Sequence, residues 1–300
     1  MLQQANPKND HILVWIDGEL LPRAEAKVSV FDSVVQGGDA VWEGIRVYDG
    51  RIFHLEQHLE RLQQSAHALA FADIPSNEYV TDALFTTLRA NEMYDGVHVR
   101  LTLTRGRKIT SGMDPRLNQF GCTLIVLAEW KPPVYPPSIT LITSSVRRNS
   151  PLHLDSKIHH NNLLNNILAK IEANHAGADA GIMLDPEGYV AEANGVNLFC
   201  VRKGTVYTPF ADFCLPGITR QTVLDICHAN GIPAREKRLS ITEFYTADEV
   251  FTTGTMGELT QVAAIDGRQI VNRHAASVLE VLNGHFRSLT ATSGVVIPKG

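Results

Sequence analysis

The sequence His153-Leu-Asp-Ser-Lys-Ile-His-His-Asn-Asn-Leu-Leu-Asn-Asn-Ile-Leu-Ala-Lys170 lies near the middle of a chain of 300 residues. Its second part predicts an amphipathic helix, because apolar side chains recur at helical spacing at Leu163, Leu164, Ile167, Leu168 and Ile171. Its first part places Lys157 among histidines and asparagines, just before that helix. A lysine held on a rigid element can act as an amine nucleophile toward a carbonyl group. Most lysines are instead solvated, so the flanking segments must decide between the two interpretations.

The composition is typical of a soluble globular protein, with 44% apolar and 20% charged residues. A net charge of −5 favours neither nucleic acid nor an anionic membrane as a partner. The apolar runs are too short to span a bilayer, and the first residues lack the basic start and apolar core of a signal peptide. The four cysteines form no CxxC pair, which argues against a disulfide scaffold. We therefore expect a cytoplasmic protein.

A proline-rich stretch predicts a domain boundary. Residues 129–137 contain four prolines, which makes this stretch stiff and non-helical. A chain of this length can form one large or two medium domains. We expect an N-terminal domain at residues 1–130, a linker at 131–138 and a larger domain at 139–300.

The N-terminal half reads as strands and helices in alternation. A hairpin turns at Asp49-Gly50, helices are predicted at 54–72 and 79–91, and residues 97–104 alternate strictly between apolar and polar. This alternation places His98, Arg100 and Thr102 on one face of a strand. That face is either open to solvent or part of a polar site, where an arginine could bind a carboxylate through two hydrogen bonds.

The C-terminal half contains three features that suit an anionic ligand. Glu192 lies in a strand meander among small and apolar residues, where a buried carboxylate needs a partner, although strand glutamates more often face water. The stretch Leu215-Pro-Gly-Ile-Thr-Arg220 leads into a helix at 221–230, and free amides at a helix start bind phosphate. The Gly254-Thr255 turn follows a buried strand and adds further donors. A last helix is predicted at 276–290.

Together, these features match the requirements of pyridoxal phosphate (PLP). A lysine forms an imine with the aldehyde of this cofactor, and a carboxylate near the pyridine nitrogen keeps that nitrogen protonated. The helix start, the threonine turn and one arginine would hold the phosphate.

The sequence resembles the class IV aminotransferases, the fold type IV PLP enzymes, and most closely their branched-chain aminotransferase branch. The resemblance covers nearly the whole chain, and its motifs are Ala40-Val-Trp-Glu-Gly-Ile-Arg-Val-Tyr48, His58-Leu-Glu-Arg-Leu62, Lys157 with the Asn-rich helix, residues 192–199, residues 215–220, and Asp248-Glu-Val-Phe with Gly254-Thr255. It implies a two-domain α/β (α+β) fold, with a small N-terminal α/β domain and a larger C-terminal domain built on a β-meander or barrel-like core.

The resemblance also implies roles for individual residues. Lys157 would be the catalytic Schiff-base lysine and proton shuttle, and Glu192 would pair with the pyridine nitrogen. The other cofactor-binding residues would be Arg61, Leu215, Gly217, Ile218, Thr219, Gly254 and Thr255. The substrate would contact Trp42, Arg46, His98, Arg100, Met256 and Gly257. The implied reaction is a ping-pong transfer of an amino group between an amino acid and a 2-oxo acid such as 2-oxoglutarate or pyruvate, in at least a homodimer.

The sequence departs from the branched-chain pattern at several pocket positions. Asn162, Gly37 and His98 stand where those enzymes carry tyrosine, and Trp42 stands where they carry phenylalanine. A D-amino acid or (R)-amine transaminase, an aminodeoxychorismate-type lyase and a non-catalytic PLP-binding homologue therefore stay open as alternatives. The pair His159-His160 has no third ligand at a useful spacing, so we expect no metal site.

Overall fold

The chain forms two compact units in a computed structural model that describes residues 4–272 and 276–299. The N-terminal unit comprises residues 4–132, Ile158–Asn162 and residues 290–299. The C-terminal unit comprises Pro133–Lys157 and the described part of Leu163–Leu289. Residues 1–3 of the predicted first domain, and residues 273–275 and 300 of the predicted second domain, lie outside the described residues.

The N-terminal unit contains an antiparallel sheet of seven strands, numbered here in chain order over both units. Its order is β16-β4-β3-β5-β6-β1-β2. The strands are β1 Leu13–Ile16, β2 Glu19–Pro22, β3 Ala40–Tyr48, β4 Arg51–Ile52, β5 Val97–Thr104, β6 Thr123–Trp130 and β16 Val295–Val296. Its helices are α1 Ser33–Gly37, α2 Leu55–Ala68 and α3 Asn77–Ala90.

The core of this unit follows from the two hydrophobic periodicities. On β5 the odd-numbered residues from Val97 to Leu103 are fully buried, as the alternation predicts. They join the apolar residues of α2 and α3 in one cluster. Helix α2 is shorter than the predicted 54–72, because His54 and Ala70 both adopt left-handed backbone conformations. Phe71 N donates to the carbonyl of Ala66 and closes the helix.

The C-terminal unit contains a mixed sheet of nine strands. Eight follow the order β12-β11-β10-β13-β14-β7-β8-β9, and β15 pairs with β14. The strands are β7 Ser138–Thr143, β8 Ala180–Leu184, β9 Val190–Ala193, β10 Asn197–Arg202, β11 Thr205–Thr208, β12 Ala234–Glu236, β13 Glu249–Gly254, β14 Glu258–Ile265 and β15 Arg268–Gln269. The helices are α4 Leu164–His175, α5 Ile218–Ala229, α6 Ile241–Tyr245 and α7 Val278–Thr292, of which residues 290–292 belong to the N-terminal unit.

Helix α4 presents its large apolar side chains outward. The sequence predicts this amphipathic helix, but only the small residues Ala169 and Ala173 are buried. Leu164 is 68% exposed and Leu168 is 53% exposed, and Ile167 and Ile171 are exposed beside them. The apolar stripe of α4, defined as these four residues, is therefore a surface of this chain. Within the part of the chain that the structure describes, no helix combines the length and the apolar character that crossing a membrane requires.

We predict that Gly106→Ala is far more destabilising than Gly18→Ala. Both glycines have positive φ, +96° and +99°, so alanine carries a similar backbone cost of about 1–2 kcal/mol at each. A Cβ at Gly106 would lie 1.7 Å from the carbonyl oxygen of Gly121, whereas one at Gly18 meets no described atom within 4 Å. Urea unfolding should show a loss of about 3 kcal/mol or more for Gly106→Ala. Equal losses in the two variants would contradict this packing.

Candidate active site

The predicted site residues fall into both units, and each group is considered by itself. The C-terminal unit holds Lys157, Glu192, the 215–220 stretch and the 254–257 turn, whereas the N-terminal unit holds Arg61, Trp42, Arg46, His98 and Arg100.

Lys157 lies at the end of a loop that its own unit holds in place. Ser156 is buried, and its hydroxyl donates to the carbonyl of Asn149. The Lys157 side chain is 44% exposed, with Nζ 3.3 Å from the carbonyl oxygen of Asp212 and 3.8 Å from Oδ1 of Asp155. The amine is therefore accessible to a ligand while its backbone is fixed.

Glu192 is a buried carboxylate on β9. Arg148 Nε donates to Oε1 at 2.6 Å, and Asn197 Nδ2 donates to Oε2 at 3.1 Å. Burial raises the pKa of Glu192, and the charge of Arg148 opposes that shift. The sequence did not identify Arg148 as the partner of Glu192, because the adjacent Arg147 is an equally good candidate from the sequence alone.

The 212–215 loop connects these groups. Lys157 Nζ donates to the carbonyl of Asp212 at 3.3 Å, and Asn197 Nδ2 contacts both the carbonyl of Leu215 at 2.9 Å and Oε2 of Glu192 at 3.1 Å. The predicted Lys157 and Glu192 are therefore linked to the same loop. Burial raises the pKa of the Cys214 thiol in this loop.

The start of α5 lies next to the Glu192 site through Asn197. Asn197 Nδ2 also donates to the carbonyl of Leu215. Gly217 is the N-cap of α5, and a Cβ there would lie 2.0 Å from Oδ1 of Asn197, so only glycine fits. The first amides of α5, at Ile218 and Thr219, have no acceptor within the helix and suit an anion.

The 254–257 turn is tightly packed at the end of β13. A Cβ on Gly254 would lie 3.0 Å from Val196, and one on Gly257 would lie 2.8 Å from the ring of Tyr135. The carbonyl of Met256 accepts from Val134 N. Thr255 is partly exposed on this turn. The two glycines therefore let the backbone of this turn pack closely against Val196 and Tyr135.

In the N-terminal unit, β3 and β5 place four predicted substrate residues on one face of the sheet. Arg46 pairs with His98, Gly44 with Arg100 and Trp42 with Thr102. His98 and Thr102 are buried and Arg100 is partly buried, so this face is not an open solvent surface.

Arg100 and His98 differ in charge. Burial lowers the pKa of Arg100 to about 10, so it stays positive at pH 7. Its guanidinium carbon lies 3.4 Å from the Trp42 ring centroid, and Nη2 donates to Asn161 Oδ1 at 2.9 Å. Burial, with the charges of Lys131, Arg46 and Arg100, lowers the pKa of His98 to about 3. The His98 ring is therefore neutral, and its Nε2 has no hydrogen-bond partner among the described residues.

Arg61 belongs to a buried cluster that the sequence did not reveal. Its Nε and Nη2 donate to the two oxygens of Glu43 at 2.8 and 2.7 Å. Nδ1 of His58 lies 2.7 Å from Oε2 of Glu43, and Nδ1 of His159 lies 3.0 Å from Oε1. Glu43 is fully buried on β3. Only the position of Glu43 opposite α2 distinguishes it, and a single sequence does not show that position.

Arg61 supplies the charge that keeps Glu43 ionised. Burial alone would raise the pKa of Glu43, but its interactions with His159 and Arg61 hold it well below the usual value. Burial lowers the pKa of His159 to about 4, so this ring is neutral at pH 7. Because an ionised carboxylate only accepts, Nδ1 of His159 and Nδ1 of His58 carry the protons.

Comparisons with known proteins agree with this chemistry. The family model described as amino-transferase class IV matches residues 40–265. The branched-chain-amino-acid aminotransferase-like protein 1 of Arabidopsis thaliana is 58% identical over 97% of this chain, which spans only 53% of that protein. The branched-chain-amino-acid aminotransferase of Pseudomonas aeruginosa is 33% identical, with 93% of each chain covered. The present chain thus spans about half the length of the plant relatives it matches.

Solved structures share the fold. The branched-chain amino acid aminotransferase of Escherichia coli superposes with a TM-score of 0.88 at 30% identity, covering 95% of this chain and 96% of that chain. The branched-chain amino acid aminotransferase of Thermobaculum terrenum in its PLP form gives 0.83 at 28% identity, covering 94% of this chain and 95% of that chain. The predicted fold class, a two-unit α/β fold of type IV, is confirmed. The chain belongs to the class IV aminotransferase family.

Proposed function

We propose that this protein is a PLP-dependent aminotransferase that moves an amino group between an amino acid and a 2-oxo acid in two half-reactions. The observation that carries the proposal is the 212–215 loop of the C-terminal unit, which contacts both the accessible Lys157 amine and Asn197, the partner of the buried Glu192 carboxylate. Family membership supports it, and the relatives described above include no lyase, D-amino acid transaminase or (R)-amine transaminase.

The residues present fit the cofactor. Glu192 Oε2 accepts from Asn197 and keeps a second lone pair for a protonated ring nitrogen. In the C-terminal unit, the proposed phosphate donors are Thr255 and the amides of Ile218 and Thr219 at the start of α5. In the N-terminal unit, Arg61 is the proposed phosphate donor. Leu215, Gly217 and Gly254 shape the backbone around that anion. When bound, PLP supplies an electron sink for the substrate carbanion.

Lys157 is the proposed catalytic residue. Its amine would hold the cofactor through the cofactor's aldehyde group and would accept and release a proton at Nζ, while Glu192 would accept a hydrogen bond from the protonated ring nitrogen. The exposed amine and the fixed backbone suit a group that must move a proton over a short distance.

The proposed substrate rests on the names of the relatives and on the residues of one face of the N-terminal sheet. The names of the relatives suggest a branched-chain amino acid as the amino donor. The proposed acceptor is a 2-oxo acid such as 2-oxoglutarate or pyruvate. Arg100 keeps its charge and forms no salt bridge with a carboxylate among the described residues, although the charge of Glu43 acts on it. It is therefore the proposed contact for a substrate carboxylate. The other proposed substrate contacts are the neutral His98, Trp42 and Arg46 in the N-terminal unit, and Met256 and Gly257 in the C-terminal unit.

We also propose that the protein is cytoplasmic and that it forms a homo-oligomer. The proposed domain boundary of each chain lies in the proline-rich 131–138 stretch. The four free cysteines suit a reducing compartment. The apolar stripe of α4 supports self-association, because contiguous exposed apolar surface commonly marks a protein interface.

Replacing Lys157 tests the proposed function directly. We expect Lys157→Ala to abolish the absorbance of lysine-bound PLP and to lower turnover by about 1,000-fold or more, since nucleophile and proton carrier are lost together. The measurement is a spectrum and a panel of amino donors with 2-oxo acid acceptors. Lys27→Ala, at an exposed lysine, serves as the control. Unchanged turnover in Lys157→Ala would refute the assignment, and pyruvate release without an acceptor would indicate a lyase.

Charged residues on the apolar stripe should weaken self-association. Leu164→Glu combined with Leu168→Glu removes two large side chains from a buried interface, each contributing about 1.5–3 kcal/mol. We expect the dissociation constant of the oligomer to rise by about 100-fold or more, measured by sedimentation velocity. Leu152→Glu, at a residue that is also highly exposed, should have little effect. A monomeric wild-type protein would contradict the proposal.

The neutral state of His98 predicts a pH dependence of stability. The unfolded chain protonates this histidine below pH 6.5, but the folded protein does so only near pH 3, so stability is lost as the pH falls between these values. His98 contributes at most about 1.4 kcal/mol per pH unit to the slope of the free energy of unfolding against pH. In urea titrations at several pH values, His98→Gln should reduce that slope by this amount. His175→Gln, at an exposed site, is the control, and identical slopes for His98→Gln and wild type would show that His98 is not held neutral.

A further inference from the structure

Directly after Lys157, the chain runs along β3 of the N-terminal sheet. Residues Ile158–Asn162 belong to the N-terminal unit, and we call them the anchoring segment. His160 forms an antiparallel bridge with Val41. Trp42 N donates to the carbonyl of His159 at 2.9 Å, and Asn161 N donates to the carbonyl of Ala40 at 2.8 Å. The backbone of the segment is therefore fixed along the free edge of the first half of β3.

The polar side chains of the anchoring segment reach three different groups. His159 donates to Glu43, Asn161 accepts from Arg100, and Asn162 Nδ2 donates to the carbonyl of Gly37 at 3.1 Å. Two of these partners are linked to the proposed anion contacts. Glu43 holds Arg61, the proposed phosphate ligand, and Arg100 is the proposed contact for a substrate carboxylate.

The first link runs through the Glu43 carboxylate. Arg61 donates hydrogen bonds from Nε and Nη2 to Glu43, and these two bonds set the plane of the Arg61 guanidinium group. Glu43 can hold that plane only if the carboxylate itself does not rotate. His58 and His159 each donate to a different oxygen, so every rotation of the carboxylate breaks a buried hydrogen bond.

The second link runs through Asn161 and Trp42. In the sheet, β5 lies on one side of β3 and the anchoring segment on the other, so Trp42 stands between Arg100 and His159. The His159 ring lies 4.1 Å from the Trp42 ring, and the Arg100 guanidinium lies 3.4 Å from the same indole. Asn161 accepts from Nη2 of Arg100 and fixes its rotation over the indole.

We propose that the anchoring segment positions two separate anion receptors, orienting Arg61 for the cofactor phosphate through His159 and Glu43, and orienting Arg100 for a substrate carboxylate through Asn161. His159 and Asn161 are positioning residues, because they act through other side chains. The inference rests on the proposed function, and it gives a role to the segment in which this chain departs from the branched-chain pattern.

The test compares two variants of the segment in the full-length protein. His159→Leu keeps bulk beside Trp42 but removes the donor to Glu43, and Asn161→Ala removes the acceptor for Arg100. We expect His159→Leu to weaken PLP binding about tenfold, the loss that corresponds to one hydrogen bond to a charged group, and to leave KM for 2-oxo acids nearly unchanged. Asn161→Ala should raise KM for 2-oxo acids about tenfold and leave the dissociation constant of PLP nearly unchanged.

Three controls separate positioning from general damage. Pyridoxal lacks the phosphate, so His159→Leu should not change its dissociation constant. His159→Asn places an amide donor near the position of Nδ1 and should restore most of the PLP affinity. His67→Leu, at an exposed position of α2, should behave as wild type.

The outcomes distinguish this inference from the proposed function. If the wild-type protein binds no PLP, the proposed function fails. If wild type binds PLP and both variants match it, the inference alone fails. The inference is also overturned if either variant loses PLP and pyridoxal affinity in parallel with a lowered Tm, because that pattern reports loss of structure.

Discussion

The candidate site depends on two buried carboxylates, one in each unit, that are each paired with an arginine. Glu43 is held by Arg61 in the N-terminal unit, and Glu192 is held by Arg148 in the C-terminal unit. A buried ion that loses its partner costs about 3–5 kcal/mol, so neither arginine can leave without a large loss of stability. Each pair is completed by further side-chain donors, His58 and His159 for Glu43 and Asn197 for Glu192. The carboxylates therefore stay in one orientation, because a rotation would break a buried hydrogen bond.

The parts of this arrangement that follow a regular period were predictable from the sequence. The strict alternation at 97–104 correctly placed His98, Arg100 and Thr102 on one face and the apolar residues in the core. Helices α2 and α3 were predicted because their apolar spacing matches the helical repeat. Glu192 stood out because its neighbours are small and apolar, and its burial with a dedicated partner followed from the cost of an unpaired charge.

What was missed depends on contacts between distant parts of the chain. Glu43 contacts His58, Arg61 and His159, which lie 15, 18 and 116 positions away in the sequence. No local sequence pattern encodes such contacts. The apolar stripe of α4 shows a different limit. Periodicity identifies the apolar face of a helix, but not whether that face packs within the chain or against another molecule. Helix α2 ended earlier than predicted because Ala70 turns left-handed, which alanine rarely does.

The two arginines proposed to meet anions are electrostatically different. Arg61 is paired with Glu43, so the pair is close to neutral, and its contribution to binding a phosphate would come from the direction of its N–H groups rather than from net charge. Arg100 contacts an indole and an amide, both uncharged, and it keeps its full positive charge in a partly buried site. A charge in that setting interacts more strongly with an anion than one in water does. A cofactor that stays bound depends mainly on correctly directed hydrogen-bond donors, whereas a substrate that must enter and leave depends on electrostatic attraction. The N-terminal unit contains one arginine suited to each of these two proposed roles.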